Sequence, residues 1–222
     1  MIKAVIFDYG GVIAGNVNAF FVKDKNGNKM QGDPSMKLVA DDLGVSYNDV
    51  IKSIKPYVPG IQRGDFAEGD FWKKFCEENK VKLPPDYQTI GARNFGSIYQ
   101  ENPEINGLII YLKKAGLTVG LLSNTSNSQS GYLEKEGRYT KFEPLVLSCR
   151  VHSRKPDKKI YQIVLNELQK KYIKPSESIY IDDIATYLEP AKELGMETIN
   201  FRNGEHSVDY LKKELNKLGV DV

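Results

Sequence analysis

Polar side chains that could do chemistry follow four short apolar runs of the sequence. The runs are AVIF, TVGLL, PLVLS and SIYI, and their branched or aliphatic residues are typical of buried strands in a parallel sheet. The polar residues that come directly or shortly after them are Asp8, Ser123 with Asn124, Lys155, and Asp182 with Asp183. Because the carboxyl ends of parallel strands open on the same side of a sheet, we expect these side chains to share one cleft.

The predicted cleft combines three carboxylates, a hydroxyl and an ammonium group. Crowded carboxylates favour a divalent cation, and a set of oxygen ligands suits Mg²⁺. Gly10 and Gly11 predict a sharp turn after Asp8 that leaves backbone N–H groups open to an anion. Together with the Ser123 hydroxyl and the Lys155 ammonium, these amides suit a phosphate group.

Each of these residues also has an ordinary structural interpretation. Asp8 could cap a turn, and Asp182 with Asp183 could cap the helix that follows them. Lys155 could be a solvated surface lysine, and Ser123 a turn hydroxyl. Their shared position behind predicted strands favours the site over these alternatives.

The elements that must position this cleft alternate between strand and helix from Pro103 onward. The predicted strands are LTVGLLS, FEPLVLS, SIYIDD and METINF. The predicted helices include PEINGLIIYLKKAG, YLEPAKELG, and PDKKIYQIVLNELQKKY with Pro156 at its start. This alternation predicts an α/β fold with a Rossmann-like parallel sheet and crossover helices.

Residues 15–101 interrupt that alternation, because helical segments follow one another there with no strong strand between them. These segments are SMKLVADDLG, SYNDVIKSIKPYV, DFAEGDFWKKFCEENK and PDYQTIGARNFGSIYQ. A loop of this length would be hard to explain, so we expect a small helical cap at 15–101, inserted after the first strand. The Rossmann-like core then comprises residues 1–14 and 102–222.

The segment AFFVKDKNGNKMQG predicts a hairpin, because Asn26 and Gly27 form a turn signal between two short arms. The same segment resembles the start of a calcium-binding loop that begins at Asp24. That loop needs glycine at its sixth position and glutamate at its twelfth, where this chain has Lys29 and Ser35. We therefore reject a calcium site and keep the turn.

Composition excludes several classes of protein. A net charge of +2 over 222 residues is too small to indicate a nucleic-acid-binding surface. No stretch reaches the length of a membrane span, and the first apolar run is too short for a signal peptide. Two distant cysteines, Cys76 and Cys149, predict no disulfide framework. We expect a cytoplasmic monomer or homodimer that binds neither nucleic acid nor membrane.

Four motifs, FDYGGV, LLSNTS, RKP and IDDIATYLEPAKELG, follow one another along the chain. In this order they resemble the haloacid dehalogenase superfamily over most of the sequence. The D-x-G-G-V form of the first motif and the segment GIQRGDFAEGDFWKKF resemble its phosphatase-like branch, which has a helical C1-type cap. The resemblance implies a Mg²⁺-dependent phosphatase that acts on a small phosphorylated metabolite, with sugar phosphates as one substrate class.

The resemblance also implies a role for each matched residue. Asp8 would be the nucleophile that forms an aspartyl-phosphate, and Lys155 would neutralise both Asp8 and the transferring phosphoryl group. The expected phosphate-binding residues are Ser123, Asn124, Lys155, Gly10 and Tyr9. The expected Mg²⁺ ligands are Asp8, the carbonyl of Gly10, and Asp183. Asp182 would be either a further ligand or a residue that contacts the ligands without binding the metal.

Two positions depart from the superfamily pattern. Gly10 stands where most superfamily phosphatases have a second aspartate that acts as general acid and base, and losing such a group typically costs about 10²–10⁴-fold in rate. Members of the D-x-G-G/N-V branch also lack it, and a good leaving group such as an anomeric or acyl phosphate would tolerate its absence. Tyr187 stands where many relatives have an asparagine, and we assign it no role.

Two other functions stay open on the sequence. A 2-haloacid dehalogenase-type hydrolase would attack a halogenated carbon with the same aspartate and would need no Mg²⁺, which Asp182 and Asp183 argue against. A catalytically impaired phosphate-binding or regulatory relative would keep the fold without turnover. In the cap, we expect Arg63 to reach a second anionic group of the substrate, and Phe71, Trp72 and Phe75 to be core or cap–core contacts.

Overall fold

The computed structural model describes residues 1–15, 21–23 and 29–222. Its centre is a five-stranded sheet in which every pair of neighbouring strands is parallel. The strands are β1 (Ala4–Phe7), β4 (Thr118–Ser123), β5 (Leu145–Leu147), β6 (Ser178–Asp182) and β7 (Glu197–Asn200). Their order in the sheet is β5–β4–β1–β6–β7, which confirms the predicted Rossmann-like sheet with β1 at its centre.

Helices cover both faces of this sheet. They are α6 (Pro103–Lys114), α7 (Asn127–Lys135), α8 (Ser148–Val151), α9 (Lys158–Lys170), α10 (Ala185–Glu193) and α11 (Val208–Lys217). Alternate residues of β1 point to opposite faces. Val5 and Phe7 pack in one apolar cluster with α6 and α11, and Ala4 and Ile6 pack in another with α9 and α10. Burial on both faces explains why β1 reads as a continuous apolar run.

Among the described residues between β1 and β4, five helices form a group that we call the helical insertion. Its helices are α1 (Pro34–Leu43), α2 (Tyr47–Ile54), α3 (Val58–Arg63), α4 (Glu68–Glu78) and α5 (Ile90–Ile98). The insertion has an apolar cluster of its own, in which Phe71, Trp72 and Phe75 are buried as predicted. The segment SYNDVIKSIKPYV, expected to be one helical segment, forms α2 and then the start of α3, because Pro56 between them has no N–H to continue a helix.

Two neighbouring backbone segments join the insertion to the sheet. The Gly15 amide donates to the Gln100 carbonyl at 3.0 Å, and the Asn102 amide donates to the Ile13 carbonyl at 2.9 Å. The chain therefore enters and leaves the insertion side by side. The domain boundaries at 15 and 101 stay a prediction.

The predicted hairpin arms are present as β2 (Phe21–Lys23) and β3 (Lys29–Gln31), which pair antiparallel. Its predicted turn at Asn26 and Gly27 lies outside the described residues, as does Asp24 of the rejected calcium loop.

One predicted helix start is wrong. Helix α9 begins at Lys158 rather than at Pro156, because Asp157 at its N-cap is extended, with φ −61° and ψ 127°. Cys76 and Cys149 are both buried and unpaired, as the sequence predicts. Among the described residues, no helix is both long and apolar enough to cross a lipid bilayer.

Candidate active site

A cavity of about 190 Å³ opens at the carboxyl edge of the sheet, and we call it the active-site cavity. Seven of the residues predicted from the sequence line it: Asp8, Tyr9, Gly10, Ser123, Asn124, Lys155 and Asp183. The eighth, Asp182, is fully buried beneath Lys155. The helical insertion covers the cavity with Gln62 from α3 and with Phe95 and Tyr99 at the end of α5. The structure thus brings all predicted site residues together.

Lys155 is the centre of the site. Its side chain is only 1% exposed, and its Nζ lies 2.8 Å from Asp8 Oδ1 and 2.7 Å from Asp182 Oδ2. Nζ also donates to the hydroxyl of Tyr180 at 2.9 Å. Asn124 fixes the backbone of Lys155, since its side chain accepts from the Lys155 amide at 2.8 Å and donates to the Lys155 carbonyl at 3.0 Å. A buried ammonium group held by two carboxylates is not the solvated lysine of the alternative interpretation.

Burial dominates the electrostatics of the carboxylates. Burial, reinforced by the nearby Asp182 and Asp183, raises the pKa of Asp8 to about 7 even though Lys155 acts in the opposite direction. Burial and the charge of Asp182 raise the pKa of Asp183 to about 6. Burial alone would lower the pKa of Lys155, but attraction to Asp182 and Asp8 outweighs it and raises that pKa, so the lysine stays charged.

The three carboxylates fit a divalent cation. Asp8, Asp182 and Asp183 each offer an oxygen, and the three oxygens lie within 4.8 Å of one another. Both oxygens of Asp182 already have partners, because Oδ2 contacts Lys155 and Oδ1 accepts from the Ile184 amide at 2.8 Å. Asp8 and Asp183, by contrast, line the cavity. This arrangement suits an oxygen-ligated cation at Asp8 and Asp183, with Asp182 positioning Lys155 behind them.

The turn after Asp8 allows Asp183 to approach. Gly11 has a φ of +83°, and a Cβ atom at this position would lie 2.6 Å from Asp183 Cγ. Only glycine fits both the backbone conformation and this contact. Gly10 differs, because its φ is ordinary and an added Cβ would meet nothing within 4 Å.

Hydrogen-bond donors also belong to residues that line the cavity. Ser123, the last residue of β4, presents its hydroxyl there, while the Asn124 side chain is occupied by the Lys155 backbone. The amides of Tyr9 and Gly10 donate to no carbonyl among the described residues. A hydroxyl, two free amides and an ammonium group are the donors that a phosphate group needs.

Two tyrosines that the sequence analysis did not use contact Lys155. Its Nζ lies 5.2 Å from the ring centroid of Tyr187, which can stabilise the ammonium group as a cation–π contact. Tyr180 acts instead through its hydroxyl, which accepts from Nζ at 2.9 Å. Tyr180 lies two residues before Asp182 on β6, and alternation along a strand could have indicated that both side chains share a face. For Tyr187 the sequence holds no comparable signal.

Arg63 does not line the active-site cavity. Its guanidinium pairs with Asp65 Oδ2 at 2.7 Å on the surface, and its contact with a second anionic group of the substrate stays a prediction. The preceding residue of α3, Gln62, faces the cavity instead and accepts a hydrogen bond from Arg154 Nε at 2.9 Å.

Comparison with known proteins places this architecture in a family. Residues 2–195 match the haloacid dehalogenase-like hydrolase family. The chain is 29% identical to pig bifunctional epoxide hydrolase 2 over 156 residues, which are 67% of this chain but only 27% of that protein. It is 25% identical to a phosphorylated carbohydrates phosphatase of Thermotoga maritima over 201 residues, with 89% of this chain and 83% of the relative covered.

A solved structure shows the same fold. A HAD family enzyme of Bacteroides thetaiotaomicron, crystallised with magnesium and inorganic phosphate, superimposes with a TM-score of 0.66 at 20% identity and covers 95% of this chain and 99% of that one. With the family match over residues 2–195, these similarities lead to one conclusion. The chain belongs to the haloacid dehalogenase-like hydrolases.

Proposed function

We propose that this hydrolase is a Mg²⁺-dependent phosphatase that cleaves small phosphorylated metabolites through an aspartyl-phosphate on Asp8. The proposal rests on one observation. The buried carboxylate of Asp8 pairs with the ammonium of Lys155 at 2.8 Å, inside a cavity lined by hydrogen-bond donors that suit a phosphate group. A halogenated carbon would use neither the donors nor the second cavity-facing carboxylate, Asp183.

The first step is attack by an Asp8 carboxylate oxygen on the phosphorus of the substrate. The bond between phosphorus and the leaving-group oxygen breaks, and the phosphoryl group is transferred to Asp8. Lys155 offsets negative charge on Asp8 and on the phosphoryl oxygens throughout, and Ser123 and the Tyr9 and Gly10 amides hold those oxygens. The departing alkoxide takes a proton from water. In the second step water attacks the same phosphorus and loses a proton to solvent, the bond between phosphorus and the Asp8 oxygen breaks, and phosphate leaves while Asp8 returns to a carboxylate.

Asp8, Asp183 and the Gly10 carbonyl would hold Mg²⁺, which supplies positive charge to offset that of the phosphate. Burial raises the pKa values of Asp8 and Asp183, so a bound cation would help to keep both carboxylates ionised. Magnesium in the B. thetaiotaomicron enzyme supports this assignment. The name of the T. maritima relative supports including sugar phosphates among the candidate substrates.

The test is phosphate release from a panel of phosphorylated metabolites, with Mg²⁺ or with EDTA. We expect Mg²⁺-dependent release that Asp8→Asn abolishes. Asp209→Asn is the matched control, because Asp209 lies on α11 with its side chain 92% exposed and should leave release unchanged. Release that survives EDTA, or that survives Asp8→Asn, would contradict the mechanism. Phosphate binding without release from any substrate would identify the impaired relative instead.

A further inference from the structure

A second cavity, of about 460 Å³, lies beside the active-site cavity, and we call it the insertion cavity. Gln62 and Gln129 line both cavities, so the two are neighbours. The volume of the insertion cavity falls within the range of about 300–1,000 Å³ that is usual for small-molecule sites, whereas the active-site cavity is smaller. The leaving group of a substrate whose phosphate lies against Asp8 would have to pass these two glutamines to reach the insertion cavity.

The walls that the helical insertion contributes are mainly apolar. They are formed by Met36, Ile51, Ile54, Val58, Pro59 and Ile61. Side chains of this kind bind hydrocarbon well, but they offer no partner to a hydroxyl group. Sugar hydroxyls that face these six side chains would lose hydrogen bonds to water without replacing them, which is costly for each buried hydroxyl.

The acidic residues of the insertion cavity already have partners. Asp33 accepts from the amide of Ser35 at 2.9 Å and from its hydroxyl at 2.6 Å. Glu68 accepts from the hydroxyl of Ser126 at 3.1 Å and from that of Ser128 at 2.6 Å. These contacts supply donors from the protein itself to Asp33 Oδ1 and Glu68 Oε2, so neither of these oxygens needs a ligand to satisfy it.

The cationic residues of the insertion cavity are not neutralised. Arg154 Nε donates a hydrogen bond to the neutral side-chain amide of Gln62, and Lys55 lies at the end of α2. Among the described residues, neither side chain forms a salt bridge with a carboxylate. An arginine with a free edge favours a planar anion such as a carboxylate.

We propose that the insertion cavity binds the leaving group of the substrate, and that this group is a hydrocarbon chain with a carboxylate that faces Arg154. The proposal rests on the phosphatase function and narrows its substrate class to phosphate monoesters of hydroxy acids with an apolar body. It also names Ile51 and Arg154 as specificity-determining residues.

The first experiment measures by calorimetry how tightly the Mg²⁺-loaded full chain binds phosphonates. These compounds should bind like the substrate, but they are not cleaved. Each buried methylene group contributes about fourfold in affinity, so the five additional methylene groups of hexylphosphonate should tighten binding by up to about 1,000-fold over methylphosphonate when all five are buried. Ile51→Gln should reduce this ratio. Ile110→Gln, on an exposed position of α6, is the matched control and should leave it unchanged.

The second experiment adds a terminal carboxylate to hexylphosphonate. A charge-assisted contact with Arg154 should tighten binding about tenfold over the uncharged compound, and Arg154→Met should remove that gain. Arg150→Met is the control, because Arg150 pairs with Glu134 at 2.7 Å on the surface of α8. Retention of the gain in Arg154→Met would overturn the assignment of the anion site.

Further outcomes separate this inference from the proposed function. If methylphosphonate and hexylphosphonate bind equally while Mg²⁺-dependent phosphate release is observed, the phosphatase stands and the apolar leaving-group site is refuted. A hexose phosphate that is cleaved with higher kcat/KM than hexyl phosphate refutes the inference in the same way. If neither phosphonate binds, both the phosphate site and this inference fail.

Discussion

Replacing Gly10 with aspartate should install a general acid that this active site lacks. Gly10 lines the active-site cavity, and an added Cβ atom would meet nothing within 4 Å. Its φ is outside the left-handed region, so an aspartate needs no strained backbone. Within the described part of the cavity, the ionisable groups other than Asp8, Lys155 and Asp183 are tyrosines. A new carboxyl group at position 10 would be the group placed to protonate a departing alkoxide.

The size of the gain depends on the leaving group. General acid–base catalysis contributes typically about 10²–10⁴-fold, and a group introduced without further adjustment should reach the lower end, about 10²-fold. This gain applies to an alkyl phosphate, because an alkoxide needs a proton as it leaves. Acetyl phosphate releases a carboxylate, which needs none, so its rate of enzymatic release should change less than about threefold.

The assay measures kcat/KM of the wild type and of Gly10→Asp on hexyl phosphate and on acetyl phosphate at saturating Mg²⁺. Gly10→Asn is the control of matched size, because its amide fills the same space and can donate hydrogen bonds but has no acidic proton to transfer. A similar gain in Gly10→Asn, or an equal gain on both substrates, would refute the reasoning, since neither result depends on proton transfer. A loss on both substrates would show that space at position 10 is needed for the phosphate itself.

Three further predictions concern the carboxylates and their cation. Gly11→Ala should weaken Mg²⁺ binding at least about tenfold in calorimetry, because its Cβ would displace Asp183 by steric contact. Protons compete with Mg²⁺ for Asp8 and Asp183, because the pKa values of these carboxyl groups are raised to about 7 and about 6. The Mg²⁺ affinity should therefore fall roughly 100-fold when the pH is lowered from about 7.5 to about 5.5. An affinity that does not change with pH would contradict this prediction. Lys155→Met should lower the free energy of unfolding in urea by about 3–5 kcal/mol, because it leaves buried carboxylates without their partner. The surface variant Lys158→Met should leave the free energy of unfolding nearly unchanged.

The sheet and its functional edge could be predicted because the relevant signals are local. A strand buried on both faces must be apolar along its length, and Ala4, Val5, Ile6 and Phe7 are all fully buried. A polar residue at the end of such a run, like Asp8, then marks the edge of the sheet. Parallel pairing brings such ends together without any further information.

The contribution of the helical insertion could not be predicted in the same detail. The rotation of α3 about its axis decides which of its side chains faces the cavity. Successive side chains of a helix point in directions about 100° apart, so neighbouring residues face different surroundings. The sequence therefore drew attention to Arg63, whereas the structure places Gln62 at the cavity. Tyr187 contacts Lys155 through the packing of α10 against the sheet, which no local pattern encodes.

Charge balance in the site links phosphate binding to the cation. Asp8 and Asp182 contact the ammonium of Lys155, and a third carboxylate, Asp183, lies beside them and 3.5 Å from Arg202. The three carboxylates therefore outnumber the two cations. A phosphate dianion would add to that excess in a buried site, where repulsion is weakly screened.

Inorganic phosphate should therefore bind measurably with Mg²⁺ and at least about tenfold more weakly in EDTA near neutral pH. By reciprocity, phosphate should tighten Mg²⁺ binding by the same factor, which two calorimetric titrations can compare. Asp183→Asn, which removes one carboxylate, should weaken Mg²⁺ binding and reduce this coupling together. Phosphate binding that is unchanged by EDTA would show that Lys155 and the cavity amides suffice, and the cation would then have no part in holding the phosphate.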